Sequence, residues 1–142
     1  MNTLSNPKAP LKATCHCGAI TVTAPGHPKK PINDCQCTLC RRYAAAWAYY
    51  TPSEVKVDIK PGASMNKYSW GFNSASFDWC NACGCLMFWW PREEPAEGTG
   101  MMGLNTRMVD PEAVRGLDRV VDFEALFRGC RKDVRWVGSD DE

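Results

Sequence analysis

Three thiols fall within Cys35-Gln36-Cys37-Thr38-Leu39-Cys40, and no other feature of the chain limits its fold so strongly. Side chains alternate faces along an extended segment, so Cys35 and Cys37 share a side, and a turn through Thr38 and Leu39 brings Cys40 round to them. Converging thiolates suit a soft or borderline metal, with zinc the default. Two more groups flank this triplet: Cys15 and Cys17 upstream, and Cys80 and Cys83 downstream with Cys85 attached. A structural zinc takes four protein ligands, whereas a catalytic one keeps a position open. Two pairs complete one tetrahedral site, so Cys15, Cys17, Cys80 and Cys83 are expected to share a zinc. Cys35, Cys37 and Cys40 are then left with a metal of their own, which Cys85 would close if it joined them. Cys130, between Gly129 and Arg131, reads as a small buried hydrophobe.

The chain has 142 residues and a net charge of +1, with its 17 basic residues scattered, so a single domain is expected and no nucleic-acid or polybasic membrane surface stands out. No apolar run approaches a membrane span and no hydrophobic leader opens the chain, so a cytoplasmic location is the default expectation. In such a reducing compartment nine clustered cysteines point to metal rather than to disulfides. Residues 1–12 read as a flexible leader, 13–137 as one zinc domain and 138–142 as an acidic disordered tail.

The pattern between the thiols is that of an all-β chain. Ile20 and Val22 alternate with polar neighbours over residues 19–24, as do Val55, Val57 and Ile59 further on. Strands are also expected over residues 46–51, 66–70, 74–79, 86–90, 99–105 and 119–125, the second and third forming a hairpin around Gly71-Phe72-Asn73. One helix is expected over Thr38–Ala45, with a short helical turn at Asp110-Pro111-Glu112. Gly18 and Gly84 each follow a cysteine pair, where positive φ lets a tight turn curl amides toward thiolates. His16 points away from that turn and His27 lies in a proline-rich loop; both read as surface residues. Trp47, Tyr49, Trp89 and Trp90 read as core aromatics that can also wall a pocket.

Cys15-His16-Cys17-Gly18-Ala19-Ile20, the triplet with Arg41-Arg42, and Cys80-Asn81-Ala82-Cys83-Gly84 together resemble the family of glutathione-dependent formaldehyde-activating enzymes. Gly103-Leu104-Asn105 running to Asp110-Pro111-Glu112 resembles that family's closing strand and turn, and the similarity spans about Ala13 to Leu117. The resemblance implies several small coiled antiparallel sheets around a structural zinc, a fold shared with a Rab-binding exchange-type chaperone and with centromere protein V. It places the structural zinc on Cys15, Cys17, Cys80 and Cys83, and a second, open zinc on Cys35, Cys37 and Cys40 as the catalytic centre. It also implies carbon–sulfur lyase chemistry with glutathione as co-substrate. The chain departs from the family at Cys85, where threonine is common, and after Leu117.

Three thiolates carry more negative charge than zinc offsets, which makes the metal a poor generator of hydroxide but a good partner for an incoming thiol. The expected partners are a small-molecule thiol and an aldehyde or its thiol adduct. Arg41 and Arg42 are candidates to compensate the charge or hold a substrate carboxylate. The turn at Cys83-Gly84 is engaged with the first metal, so Cys85 is expected to turn into the core beside Phe88 and Trp90 and leave the triplet open. The rival reading is a non-catalytic, zinc-stabilised protein-binding module. No Ser-His-Asp set, paired carboxylates or phosphate-cradling loop suggests other chemistry.

Overall fold

The computed structural model describes residues 6–69, 75–91 and 100–126. Two sheets dominate it. The smaller takes β1 (Leu11–Thr14), β2 (Ile20–Ala24) and β5 (Lys56–Ile59) in the order β1-β2-β5. The larger contains β3 (Ile32–Cys35), β4 (Trp47–Tyr50), β6 (Met65–Ser69), β7 (Ala75–Cys80), β8 (Leu86–Pro91), β9 (Met102–Asn105) and β10 (Arg119–Asp122), ordered β10-β3-β4-β9-β8-β7-β6. The α-helix among the described residues, α1, is the single turn Cys40–Tyr43. Most ladders are antiparallel, but β10 lies parallel to β3.

Alternation along the strands gives the larger sheet two different apolar faces. On one face Ile32, Ala48, Tyr50, Phe88, Met102 and Leu104 share a core with Leu11, Ala13, Ile20, Val22 and Ala24 of the smaller sheet. On the other, Trp47, Ala75, Phe77 and Leu86 form a second cluster with Cys37 and Cys40, flanked by Tyr43, Tyr49 and Trp89. The wholly buried Trp47 sits opposite Asn33 of β3, and Tyr49 opposite Gly103 of β9.

Gly103 is glycine because Trp89 occupies the space a side chain would need: a Cβ there would stand 2.0 Å from the indole Nε1. Gly103→Ala must therefore displace the indole that lies edge-on to Tyr49, at 6.2 Å between ring centroids. We expect a loss of about 1–3 kcal/mol, the usual penalty of overpacking, seen as a lowered thermal midpoint. An unchanged midpoint would mean that Trp89 is not held there.

The expected strands are found with shifted limits, and β1 and β3 are strands that the sequence reading did not expect. β1 takes in Leu11 and Lys12, which the sequence assigned to the leader, because Leu11 is buried against the first core and β1 pairs with β2 from Leu11↔Ala24 onward. The helix expected over Thr38–Ala45 shortens to Cys40–Tyr43, since Ala44 turns left-handed at φ 54° and its amide caps the carbonyls of Cys40 and Arg41. The strand expected from residue 99 starts at Met102, and that expected over 119–125 gives way to a 3-10 turn at Phe123–Leu126. The tip of the β6–β7 hairpin, Cys130 and the acidic tail lie outside the described residues.

Candidate metal centres

Two turns of the same design assemble the first set of thiols. In each, the amide of the leading cysteine donates to the carbonyl five residues on: Cys15 N to Ile20 O at 3.1 Å, and Cys80 N to Cys85 O at 3.0 Å. Glycine supplies the left-handed residue that closes the turn, Gly18 at φ 81° and Gly84 at φ 77°. The tightness of the turns aims amides at sulfur. Ile20 N–H donates to Cys15 Sγ at 3.2 Å, the Ala19 amide to Cys17, and the Cys17 and Cys85 amides to Cys83. Those two amides pull the Cys83 thiol down to about 5.

Cys17 Sγ lies 3.6 Å from both Cys15 Sγ and Cys80 Sγ, and the sulfurs of Cys15, Cys17, Cys80 and Cys83 all lie within 4.8 Å of one another. Zinc–sulfur bonds of about 2.3 Å in a tetrahedron hold sulfurs about 3.8 Å apart. The set fits that spacing. Lys60 brings its Nζ to 4.0 Å from where a Gly18 side chain would begin, at the turn that follows Cys17.

The second set occupies the opposite face of the larger sheet. Cys35 ends β3, Cys37 follows in the turn, and Cys40 opens α1, with the three sulfurs within 4.8 Å of one another. Cys40 N–H donates to Cys37 Sγ at 3.2 Å. The Cys35 and Cys40 thiols hydrogen-bond to Cys37 and, with the Cys40 and Leu39 amides, drive its ionisation far below the usual thiol range. The same two neighbours of Cys40, Cys35 and Cys37, together with burial, push Cys40 far up. The cluster thus concentrates negative charge that three neighbouring sulfurs share, a donor set suited to a soft cation. Closing the sulfurs to zinc's spacing asks for movements of about 1 Å at most. Among the described residues, no fourth Cys, His, Asp or Glu joins the three.

Cys85 does not join the triplet, but it is not simply turned into the core beside Phe88 and Trp90 as the sequence led us to expect. It packs in part against that core, while its thiol hydrogen-bonds with Cys83 of the first set. It receives the His16 amide, and burial and the Cys83 side chain outweigh that bond to keep the thiol above its usual range. The Cys80–Cys85 hydrogen bond is the reason: it holds residue 85 at the exit of the turn, alongside the Cys15–Ile20 loop.

The remaining candidates separate. His16 is exposed, as expected, whereas His27 is half-buried, its amide donating to Pro7 O at 2.9 Å. Arg41 and Arg42 are both exposed on α1, with Arg42 Nη1 donating to Thr38 O at 2.5 Å. Trp90 packs edge-on to Phe88 on the first face, while Trp47, Tyr49 and Trp89 belong to the triplet's face.

Sequence reasoning missed Asn33. It precedes Cys35 by two positions on β3 and therefore shares its face; that offset was the available signal. Its Nδ2 donates to the Tyr49 hydroxyl at 2.6 Å. Asn33 Oδ1 and the Trp47 indole Nε1 are buried without a hydrogen-bond partner among the described residues. Buried polar atoms left so are uncommon and costly.

A β-fold with one four-thiol and one three-thiol set, each spaced for zinc, defines the class of protein. The model of the family described as glutathione-dependent formaldehyde-activating enzyme matches residues 10–115, and the chain belongs to that family. Its fold is similar to that of a crystal structure of a Rhodobacter sphaeroides protein, at 23% identity and a TM-score of 0.58, over 77% of this chain and 99% of the other. No helix among the described residues is long and apolar enough to cross a membrane.

Proposed function

We propose that the protein is a zinc-dependent carbon–sulfur lyase-type enzyme that acts on glutathione–aldehyde adducts or similar thiol conjugates, with Cys35, Cys37 and Cys40 as its catalytic metal ligands. One observation carries the reading: three converging thiols stand on a face of their own, beside buried polar atoms that have no partner among the described residues. Cys15, Cys17, Cys80 and Cys83 would hold the structural zinc. Zinc bound at the triplet supplies a soft Lewis acid that keeps an incoming thiol in its thiolate form.

The chain's own residues supply the rest. In the synthetic direction a sulfur–carbon bond forms as the aldehyde carbonyl opens to a hydroxyl, and the proton lost by the thiol is balanced by one gained at oxygen. Tyr49 is placed to give that proton or to take it back in cleavage. Asn33 engages its oxygen, so its hydrogen is directed elsewhere, and burial raises its ionisation to about 12, which keeps the hydroxyl protonated. Trp89 and Tyr43 flank the face and limit water. Arg41 and Arg42 offset the surplus negative charge of the site.

Calorimetric titration of glutathione into zinc-loaded protein tests this. Binding is expected in the wild type and in Cys85→Ser, and its loss is expected in Cys40→Ser. A wild type that binds no thiol would sink the reading. The exposed Val120, Val121 and Phe123, at 46%, 53% and 65% exposure, favour a second reading in that event: a zinc-stabilised module that docks a protein partner.

A further inference from the structure

The outer strands of the two sheets are not alike. β5 carries the Lys56–Asp58 ion pair, β6 the exposed Asn66 and Lys67, and β1 is bridged at Ala13 by Val109. Charged and polar side chains along an edge discourage the addition of a further strand. β10 has no such protection between its ends. Its centre is Val120-Val121, at 46% and 53% exposure, and Phe123 follows at 65%. The other large apolar side chains exposed among the described residues, Ile59 and Met101, stand singly. An apolar, exposed edge strand is a template for pairing.

The backbone shows which groups are on offer. Asp118 O receives the Ile32 amide at 2.8 Å, and Asp122 O receives the Gln36 amide at 3.1 Å. Backbone groups alternate sides along a strand, so Asp118, Val120 and Asp122 turn theirs toward β3, while Arg119 and Val121 turn theirs away from it. Among the described residues β3 is the one strand that pairs with β10. Residues paired in a parallel ladder share a face, so Val120 and Asp122 stand with Asn33 and Cys35 on the triplet's side. Arg119 and Val121 stand on the other side.

We propose that β10 is the interface of a homodimer, in which a second copy lays its own β10 antiparallel to the first across a two-fold axis. The inference is independent of the lyase reading. Antiparallel bonds are exchanged between residues that both face outward, which leaves two central registers. Centring the axis on Val120 sets Asp122 of each copy against Asp118 of the other, and like charges directly opposite oppose pairing. Centring it on Val121 removes that conflict. The two Val121 residues then exchange amide and carbonyl, Asp122 meets the second copy's Val120, and Arg119 comes beside the second copy's exposed Phe123 ring, a cation–π partner. The strand is thus complementary to itself, as an isologous contact requires, and a second copy is the occupant it fits. The larger sheets of both copies become continuous, and the second copy's Val120 and Asp122 border the face that carries the triplet. A strand of four residues buries less than the ~1,200 Å² of a permanent assembly, so the dimer should exchange at micromolar concentration.

Sedimentation velocity of the zinc-loaded full chain, from about 1 to 200 µM, tests this together with amide hydrogen exchange. A dimer that grows with concentration is expected, with the Arg119 and Val121 amides gaining protection as it forms. Val121→Lys brings two ammonium groups together at the axis, and Val121→Pro removes the outward amide without touching a bond to β3. Each should raise the dissociation constant at least about tenfold with circular dichroism unchanged, whereas Ile59→Lys on the β5 edge should behave as wild type. A monomer at every concentration overturns the proposal, and so does a dimer that both Val121 variants retain. Protection of the Val121 amide that is equally strong in a dilute monomer also overturns it, since residues 127–142 of the same chain would then cover the edge.

Discussion

Cys83→Ala is expected to abolish the folded state at ambient temperature, or to remove most of its stability, together with one equivalent of zinc. The four-thiol set ties the loop before β2 to the turn after β7. Closing so long a loop restricts the unfolded chain strongly, and zinc sites of this kind contribute on the order of 10–16 kcal/mol to folding. A domain retains only about 5–15 kcal/mol in total, so the loss of one ligand is enough to decide the outcome. Cys40→Ala should behave differently. Its partners lie within one turn of chain, so it should lose the other zinc and only a few degrees of thermal midpoint. Zinc content and thermal unfolding, measured on both variants, check this. Equal collapse of the two would show that the triplet also holds the fold together.

Catalysis should divide along the same line. Cys37→Ala removes the sulfur on which the Cys40 amide and both neighbouring thiols converge, so turnover should fall by at least about 10³ while circular dichroism stays unchanged. Tyr49→Phe keeps zinc and fold but takes away the hydroxyl that accepts from Asn33 Nδ2, and with it the proton it carries, so a loss of about 10² in kcat is expected with little change in KM. The hydroxyl ionises near 12, so no alkaline fall in rate should come from Tyr49 below about pH 11. Full activity in Tyr49→Phe would remove it from the chemistry and leave proton transfer to solvent.

How far the sequence could be read follows from which interactions were local. The thiol sets were legible because spacing alone decides which sulfurs a turn can bring together. The strands were legible because Ile20, Val22 and Leu104 repeat with a period that only one buried face explains. Glycine after each pair announced the two matching turns. What escaped depends on chain segments meeting at a distance. The parallel pairing of β10 with β3 leaves no local mark. The neighbours of Cys85 include the Cys15–Ile20 loop as well as Cys83, and a loop far upstream is not visible from Cys83-Gly84 itself. Lys8 fell in the expected leader and His27 read as surface, and only the contact at Gly26 brings their segments together. Asn33 drew no notice in the sequence, since a missing partner cannot be seen without the partners.

The parallel ladder also sets an order in time. As the ribosome extends the chain, the four-thiol set is complete once the turn after β7 has emerged, whereas β3 acquires its outer neighbour only when Arg119 to Asp122 appear. Until then the strand that ends in Cys35 has an open edge, and Gln36 lacks the Asp122 carbonyl that receives its amide at 3.1 Å. Synthesis of the chain thus brings the four thiols of the first set together before β3 gains its outer neighbour, so the surroundings of the two sets are not finished at the same time.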